Sequence, residues 1–262
     1  MQRLGALGFV VALGFVTWFA PAGGAGAQNP PRAQLLSVDR LALRYGRGVA
    51  RIKGGWVLNG ASVMVRTDEG FHEQQINRSP IPQRLLREGY RRMGDVDVVG
   101  MYIYAALEMR NTRLDNGLTA RYDLKTLKYV DSVELQQHAS SFVAIEPLRM
   151  IGYAMDRSNG KVLLRYDVVR DWKPLPRLVL DRTLVDVRGG AVGGGAVWIS
   201  TSDRTKEIYR VNERTGHVDD IGSAGNVMVE GIDAKTIHDA NIHVTTIDRR
   251  HHRVRLLHFK VS

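Results

Sequence analysis

Two segments of the sequence carry acids close together in apolar surroundings: Gly94-Asp95-Val96-Asp97 and Glu230-Gly231-Ile232-Asp233. Side chains at alternate positions of a strand face the same way, so Asp95 and Asp97 present two carboxylates on one face. His138 and Asp186 stand just ahead of two further strand-like segments. Carboxylates gathered at one point suit a hard, oxygen-liganded cation such as Ca²⁺, with Asp95, Asp97 and Glu230 as the metal candidates. Adding a histidine admits Zn²⁺ or another transition metal. A divalent cation is therefore the cofactor to look for. The same acids also have a scaffold use, because Asp at a strand start bonds nearby backbone N–H groups. Other nucleophile chemistry has little support. The chain has no cysteine and no Gly-x-Ser-x-Gly elbow, and so lacks a thiol nucleophile and that hydrolase turn. The paired His251-His252 would point to opposite faces of a strand and chelate poorly.

The elements that must position these residues are strands. Trp56-Val57-Leu58, Tyr102-Ile103-Tyr104, Val197-Trp198-Ile199 and Ile242-His243-Val244 are rich in aromatic and β-branched residues, the composition of strands. A short unit recurs among them: an apolar residue, Asp or Asn, a turn, then another apolar run. It reads Ile76-Asn77, Tyr122-Asp123, Tyr166-Asp167 and Val211-Asn212, with Phe259-Lys260 as a degenerate fifth copy. The period, about 45 residues in a strand-rich chain, is that of a β-propeller with one four-stranded blade per repeat. In the second copy Asp123 and Thr126 can close the turn through backbone N–H groups. In the fourth, Gly216 supplies a positive φ. The third copy lacks the Thr-Gly and is expected to carry a longer turn.

The inner strands are expected at 48–52, 94–98, 140–145, 189–192 and 230–234, where small residues recur near a narrow axis. Gly189-Gly190-Ala191-Val192-Gly193-Gly194-Gly195 resembles a phosphate loop only in its glycines. It lacks the Lys-Ser/Thr that would follow and reads as an inner strand and hairpin. The last unit ends after a third strand, while residues 34–41 form a strand without a blade. Pairing the two closes the ring and removes an edge. The expected fold is thus all-β, a propeller of five four-stranded blades whose N-terminal strand completes the last one. Six blades is the alternative. Residues 79–93 break the pattern, with Leu85, Leu86, Tyr90 and Met93 near helical spacing. They predict a short helix or a crossing loop.

The Tyr122-Asp123-x-x-Thr126 unit, the glycine-rich inner strands and the inner-strand Glu230-Gly231 resemble secreted bacterial β-propellers of the quinoprotein-like and lactonase-like kind. The resemblance implies the fold, and for the lactonase-like members a calcium-dependent activity. Five-bladed glutaminyl cyclotransferases are also exported and similar in size, but their Thr-Gln-Gly-Leu signature is not in this sequence.

Met1-Gln2-Arg3 precedes an apolar run that ends at Ala25-Gly26-Ala27, the pattern of a signal peptide cut at a small-x-small site. Residues 1–27 are read as the signal peptide and residues 28–262 as one propeller domain, secreted or periplasmic. Without cysteine there is no disulfide framework, so an exported chain must be held by its core. The net charge of +10 favours anionic surfaces. The basic clusters at Arg87, Arg91 and Arg92 and at 249–253 have no interleaved aromatics, so specific nucleic-acid binding is not expected. A monomer is expected.

Two functions remain open at this level. One is a binding or interaction module for a small molecule or protein ligand, with an axial pocket lined by Asp95, Asp97, His138, Asp186, Glu230 and Asp233. The other is a metal-assisted hydrolase or lactonase using the same acids. There a cation would polarise an ester carbonyl while a carboxylate or His138 relays the proton. The second requires at least three of these side chains about one point. Acids tied up by backbone N–H groups would instead be scaffold.

Overall fold

The computed structural model describes residues 32–262 apart from 110–115, 140, 157, 206, 226 and 240. The expected signal peptide, 1–27, lies outside the described residues, as does Ser140. Strand β1 (Ala33–Leu41) belongs to the last blade. Blade one is β2 (Gly48–Ile52), β3 (Gly55–Asn59), β4 (Met64–Asp68) and β5 (Glu73–Asn77). Blade two is β6 (Tyr90–Val99), β7 (Tyr102–Met109), β8 (Asn116–Asp123) and β9 (Tyr129–His138). Blade three is β10 (Ala144–Glu146), β11 (Ile151–Met155), β12 (Val162–Asp167) and β13 (Lys173–Val179). Blade four is β14 (Val187–Gly193), β15 (Ala196–Thr201), β16 (Glu207–Asn212) and β17 (Val218–Ser223). Blade five is β18 (Met228–Asp233), β19 (Asn241–Asp248) and β20 (Arg253–Val261), completed by β1. The five four-stranded antiparallel sheets form a five-bladed propeller. Four of the five inner strands fall at the expected positions, but the third, expected at 140–145, begins only at Ala144 and is the shortest, its predecessor Ser141 lending its carbonyl to Asp95 instead.

Blades adhere because the faces they turn to one another are apolar. Val57 and Met64 of blade one cluster with Ile103, Leu107 and Tyr122 of blade two. Leu135 meets Ala154, Leu164 and Tyr166 across the next interface. Tyr153 and Leu163 meet Val197 and Ile199, Trp198 meets Ile232 and Phe259, and Leu256 meets Val49 and Leu58. Each such side chain contributes about 1.5–3 kcal/mol when fully buried.

The repeat has one register error at the sequence level. Tyr122-Asp123, Tyr166-Asp167 and Val211-Asn212 end third strands, but Ile76-Asn77 ends the outer strand β5. The third strand of blade one ends at Thr67-Asp68. The crossing segment after β5 accounts for the slip, because it adds the helix α1 (Gln83–Glu88), which closes on Gly89 at φ 105°. The Asp and Asn residues are turn-formers throughout. Asp123 accepts the Thr126 N–H at 2.8 Å, Asp167 the Arg170 N–H at 3.1 Å and Asn212 the Thr215 N–H at 3.1 Å. The turn in blade three is not longer. Residues 124–128, 168–172 and 213–217 are equal in length, and the fourth residue of each is left-handed: Leu127, Asp171 and Gly216. Only blade four uses glycine there.

The ring closes through β1 and β20, which pair from Ala33–Val261 to Leu41–Val254. A side-chain chain crosses the same blade. Asp39 Oδ2 lies 2.8 Å from His258 Nε2, His258 Nδ1 lies 2.8 Å from His243 Nδ1, and His243 Nε2 lies 2.8 Å from Thr236 Oγ1. Burial pulls the His243 pKa down to about 3, so this ring is neutral. A neutral imidazole donates through one ring nitrogen and accepts through the other, so His243 links Thr236 to His258 in either tautomer. Trp56 of blade one packs edge-on against both rings, at 4.9 and 5.9 Å between centroids.

The closure predicts a disulfide. Arg40 opposes Arg255 in the register, and the chain has no other cysteine. The Arg40→Cys, Arg255→Cys protein is expected to oxidise to a single species. Its gain over the reduced form should be about 2–4 kcal/mol in urea denaturation. Failure to cross-link would contradict the pairing.

Candidate functional site

The inner strands run along the axis, so the site has an entry end, where these strands begin, and an exit end, where they finish. Asp95 lies between, fully buried. Its Oδ1 accepts N–H bonds from Val49 at 3.2 Å and Val96 at 2.9 Å. Its Oδ2 accepts from Gly190 at 3.1 Å and Ile232 at 3.0 Å. These donors belong to blades one, two, four and five. The Asp95 N–H donates to Ser141 O at 2.7 Å, just ahead of the inner strand of blade three, so one residue reaches every blade. Burial pushes its pKa well above the usual carboxylate range, and the four N–H bonds oppose that rise. The neighbours must be small. A Cβ added at Gly189 or Gly231 would sit 2.6 Å from the Asp95 carboxylate.

Asp97 and Asp233 lie nearer the exit end. Asp97 accepts from Val98 N–H and, across the blade boundary, from Ile145 N–H, both at 2.7 Å. Asp233 accepts from Arg51 N–H of blade one at 3.0 Å and from Lys235 N–H at 3.2 Å. The Lys235 ammonium donates to both Asp97 Oδ1 and Val98 O. Burial pulls its pKa down, but Asp97 and Asp233 outweigh burial and hold it above its ordinary value. Burial pushes the Asp233 pKa up to about 6. Beyond Lys235 the exit end opens into a cavity of about 800 Å³, lined among others by Val98, Ile145, Leu148, Val192, Lys235 and His238. That volume is in the range of small-molecule sites.

Glu230 is buried at the entry end. Burial raises its pKa, while Arg47, Arg188 and Arg249 pull it back. Arg47 lies 3.8 Å from Glu230 and 3.6 Å from the buried Glu108, and Arg92 lies 3.4 Å from Glu108. Asp186 is exposed and pairs with Arg188 at 2.7 Å. His138 ends the outer strand of blade two and is exposed. Its N–H donates to Asp156 at 3.1 Å, so it is not an axial residue.

The six candidates therefore do not share one pocket. Asp95 is mid-axis, Asp97 and Asp233 serve the exit end, Glu230 and Asp186 the entry end, and His138 the rim. No group of three His, Asp or Glu side chains that could hold a metal occurs among the described residues. The reason is geometric. Alternate residues share a face but stand about 7 Å apart along a strand, which here is the axis. The sequence pattern did not single out Lys235, Arg47, Arg188 and Glu108, and it placed Arg92 in a basic cluster rather than at the axis. A signal was present for two of them. Arg47-Gly48, Arg188-Gly189 and Glu230-Gly231 each put a charged residue before an inner-strand glycine.

No family model matches the sequence, and no curated protein sequence matches it significantly. Among solved structures the chain is similar to a luciferin-regenerating enzyme, with a TM-score of 0.55, 11% identity, and coverage of 85% of this chain and 78% of that one. The comparison supports the propeller fold. A structure of the mitotic checkpoint complex aligns at a TM-score of 0.44 and 7% identity, over 81% of this chain and 60% of that one.

Two outcomes follow. Asp95→Asn puts an amide N–H₂ among N–H donors that need an acceptor. Equilibrium denaturation is expected to show a loss on the order of 3 kcal/mol. Asp233 holds a proton in the folded state at pH values where an unfolded Asp, with a pKa of about 3.9, has lost it. Its contribution to stability is complete below about pH 4 and is lost as pH rises through about 6. Asp233→Asn removes this titration. Its stability is expected to fall less than wild type from about pH 4 to 7, by on the order of 2 kcal/mol, read from urea midpoints.

Proposed function

We propose that the chain is exported, cut before Gln28, and acts as a monomeric binding propeller. Its ligand, a small molecule or a short protein segment, occupies the exit-end cavity. The carrying observation is the division of labour along the axis. The oxygens of Asp95, Asp97 and Asp233 accept N–H bonds that tie blades together, whereas the cavity beyond them is open, partly apolar and rimmed by Lys235, Arg149 and His238. Such a lining buries an apolar body and orients it through a few polar groups. Lys235 is preorganised by Asp97 and presents its charge to the cavity wall. The hydrolase reading would need a cation held by acids that are instead engaged with backbone N–H groups or, for Glu230, with Arg47.

The test uses protein recovered from the envelope of a secreting host, with an intact mass beginning at Gln28. A small-molecule library is screened by thermal shift against wild type and His238→Trp, which narrows the cavity from an exposed position. Hits are expected to stabilise wild type and to lose that effect in the variant. Ligands that stabilise both equally would remove the cavity from the proposal. EDTA is expected to leave Tm unchanged. Stoichiometric divalent metal in the purified protein, with a fall in Tm on chelation, would favour the hydrolase.

A further inference from the structure

The entry end has the opposite chemistry from the one its acids suggest. Its two buried carboxylates, Glu108 and Glu230, stand behind arginines rather than facing a ligand. Arg47 comes from the start of blade one, Arg92 from blade two and Arg188 from blade four. Arg47 Nη1 bridges the two glutamates at 3.6 and 3.8 Å, which is charge contact without the short, aligned geometry of a hydrogen bond. Arg92 Nη2 stands 3.4 Å from Glu108. The Nε atoms of Arg92 and Arg188 are buried and have no hydrogen-bond partner among the described residues. The three side chains are 14%, 36% and 23% exposed, so their outer N–H groups remain within reach of solvent. Arg249 adds its field at the same place.

We infer that the entry end of the axis binds a phosphate group through Arg47, Arg92 and Arg188. Arg47 and Arg92 meet at Glu108, and Arg47 and Arg188 both act on Glu230, so guanidinium groups from three blades gather at the entry end. A tetrahedral oxyanion offers three equatorial oxygens to three such donors, while its fourth substituent points out of the mouth. Guanidinium groups pair with phosphate oxygens through charge-assisted, geometrically directed hydrogen bonds. Glu108 and Glu230 position the arginines from below. Burial keeps these carboxylates out of reach of a ligand, so the contacts left to an incoming group are the outer N–H groups of the arginines. Asp186 holds Arg188 from the side. The site is separate from the exit-end cavity, with Asp95 between them.

Isothermal titration of inorganic phosphate into the mature chain tests this at about 0.1 M ionic strength, where surface charges are largely screened. One phosphate per chain is expected, with acetate binding at least about tenfold more weakly because it offers two oxygens rather than three. Arg188→Gln and Arg47→Gln are each expected to weaken phosphate at least about tenfold, the scale of one lost charge-assisted contact. Arg214→Gln at the exit end should leave it unchanged. Removing Arg47 exposes two buried glutamates and can prevent folding, so Arg188→Gln, whose partner is an exposed aspartate, decides the matter alone. The inference is overturned by heat that does not saturate, by several weak sites per chain, by equal binding of acetate, or by unchanged affinity in Arg188→Gln. Failure of the exit-end screen would leave these readouts untouched.

Discussion

A single buried carboxylate sets the axis of this propeller. Asp95 sits where the inner strands converge and accepts four N–H bonds from four blades. An ionisable group in so dry a place is tolerable only if its lone pairs are satisfied, and here the backbone supplies every donor. The arrangement constrains its surroundings in turn. Strands that approach a carboxylate this closely cannot carry side chains at Gly189 and Gly231. The glycine-rich inner strands and the central aspartate are thus one feature.

Because Asp95 is buried in the middle of the axis, the two ends of the axis are built from different residues. The exit mouth combines aliphatic walls, the Lys235 ammonium that Asp97 and Asp233 hold from inside, and Arg149 paired with Glu146 and Glu213 on the wall. The entry mouth combines arginines with glutamates set behind them. In both, carboxylates support cations and the cations face outward. Ion pairs thus occupy the two ends of the axis, while the apolar clusters between blades carry the cohesion.

The architecture was legible because blades repeat. Asp123, Asp167 and Asn212 recur at turns with the same physical job, and even an imperfect period shows how many times it is done. The first copy was misplaced because α1 stretches the chain between blades one and two, so a constant spacing lands one strand late. The site was less legible, for a reason of dimension. Asp95 and Asp97 share a face, as alternation requires, yet strand rise separates them along the axis and gives them different partners. Convergence in a propeller occurs at equal heights on different strands. That quantity depends on register within each blade, and bulges such as those between Met93 and Val96 and between Val229 and Ile232 shift it without trace in the sequence. His138 shows the same limit radially: adjacent in sequence to an inner strand, it still belongs to the rim.

The pairing of β1 with β20 changes what the two ends of the chain report. Terminal strands ordinarily fray at almost no cost, because few contacts depend on them. Here the first strand is also the outer strand of a blade whose other three strands come last, and it is tied inward through Asp39, His258, His243 and Thr236. Releasing it uncovers β20 and removes the outermost link of that chain. Fraying at one end is therefore coupled to fraying at the other. Amides of β1 should exchange with solvent through the same openings that expose β20, making the first and last described strands a single cooperative unit.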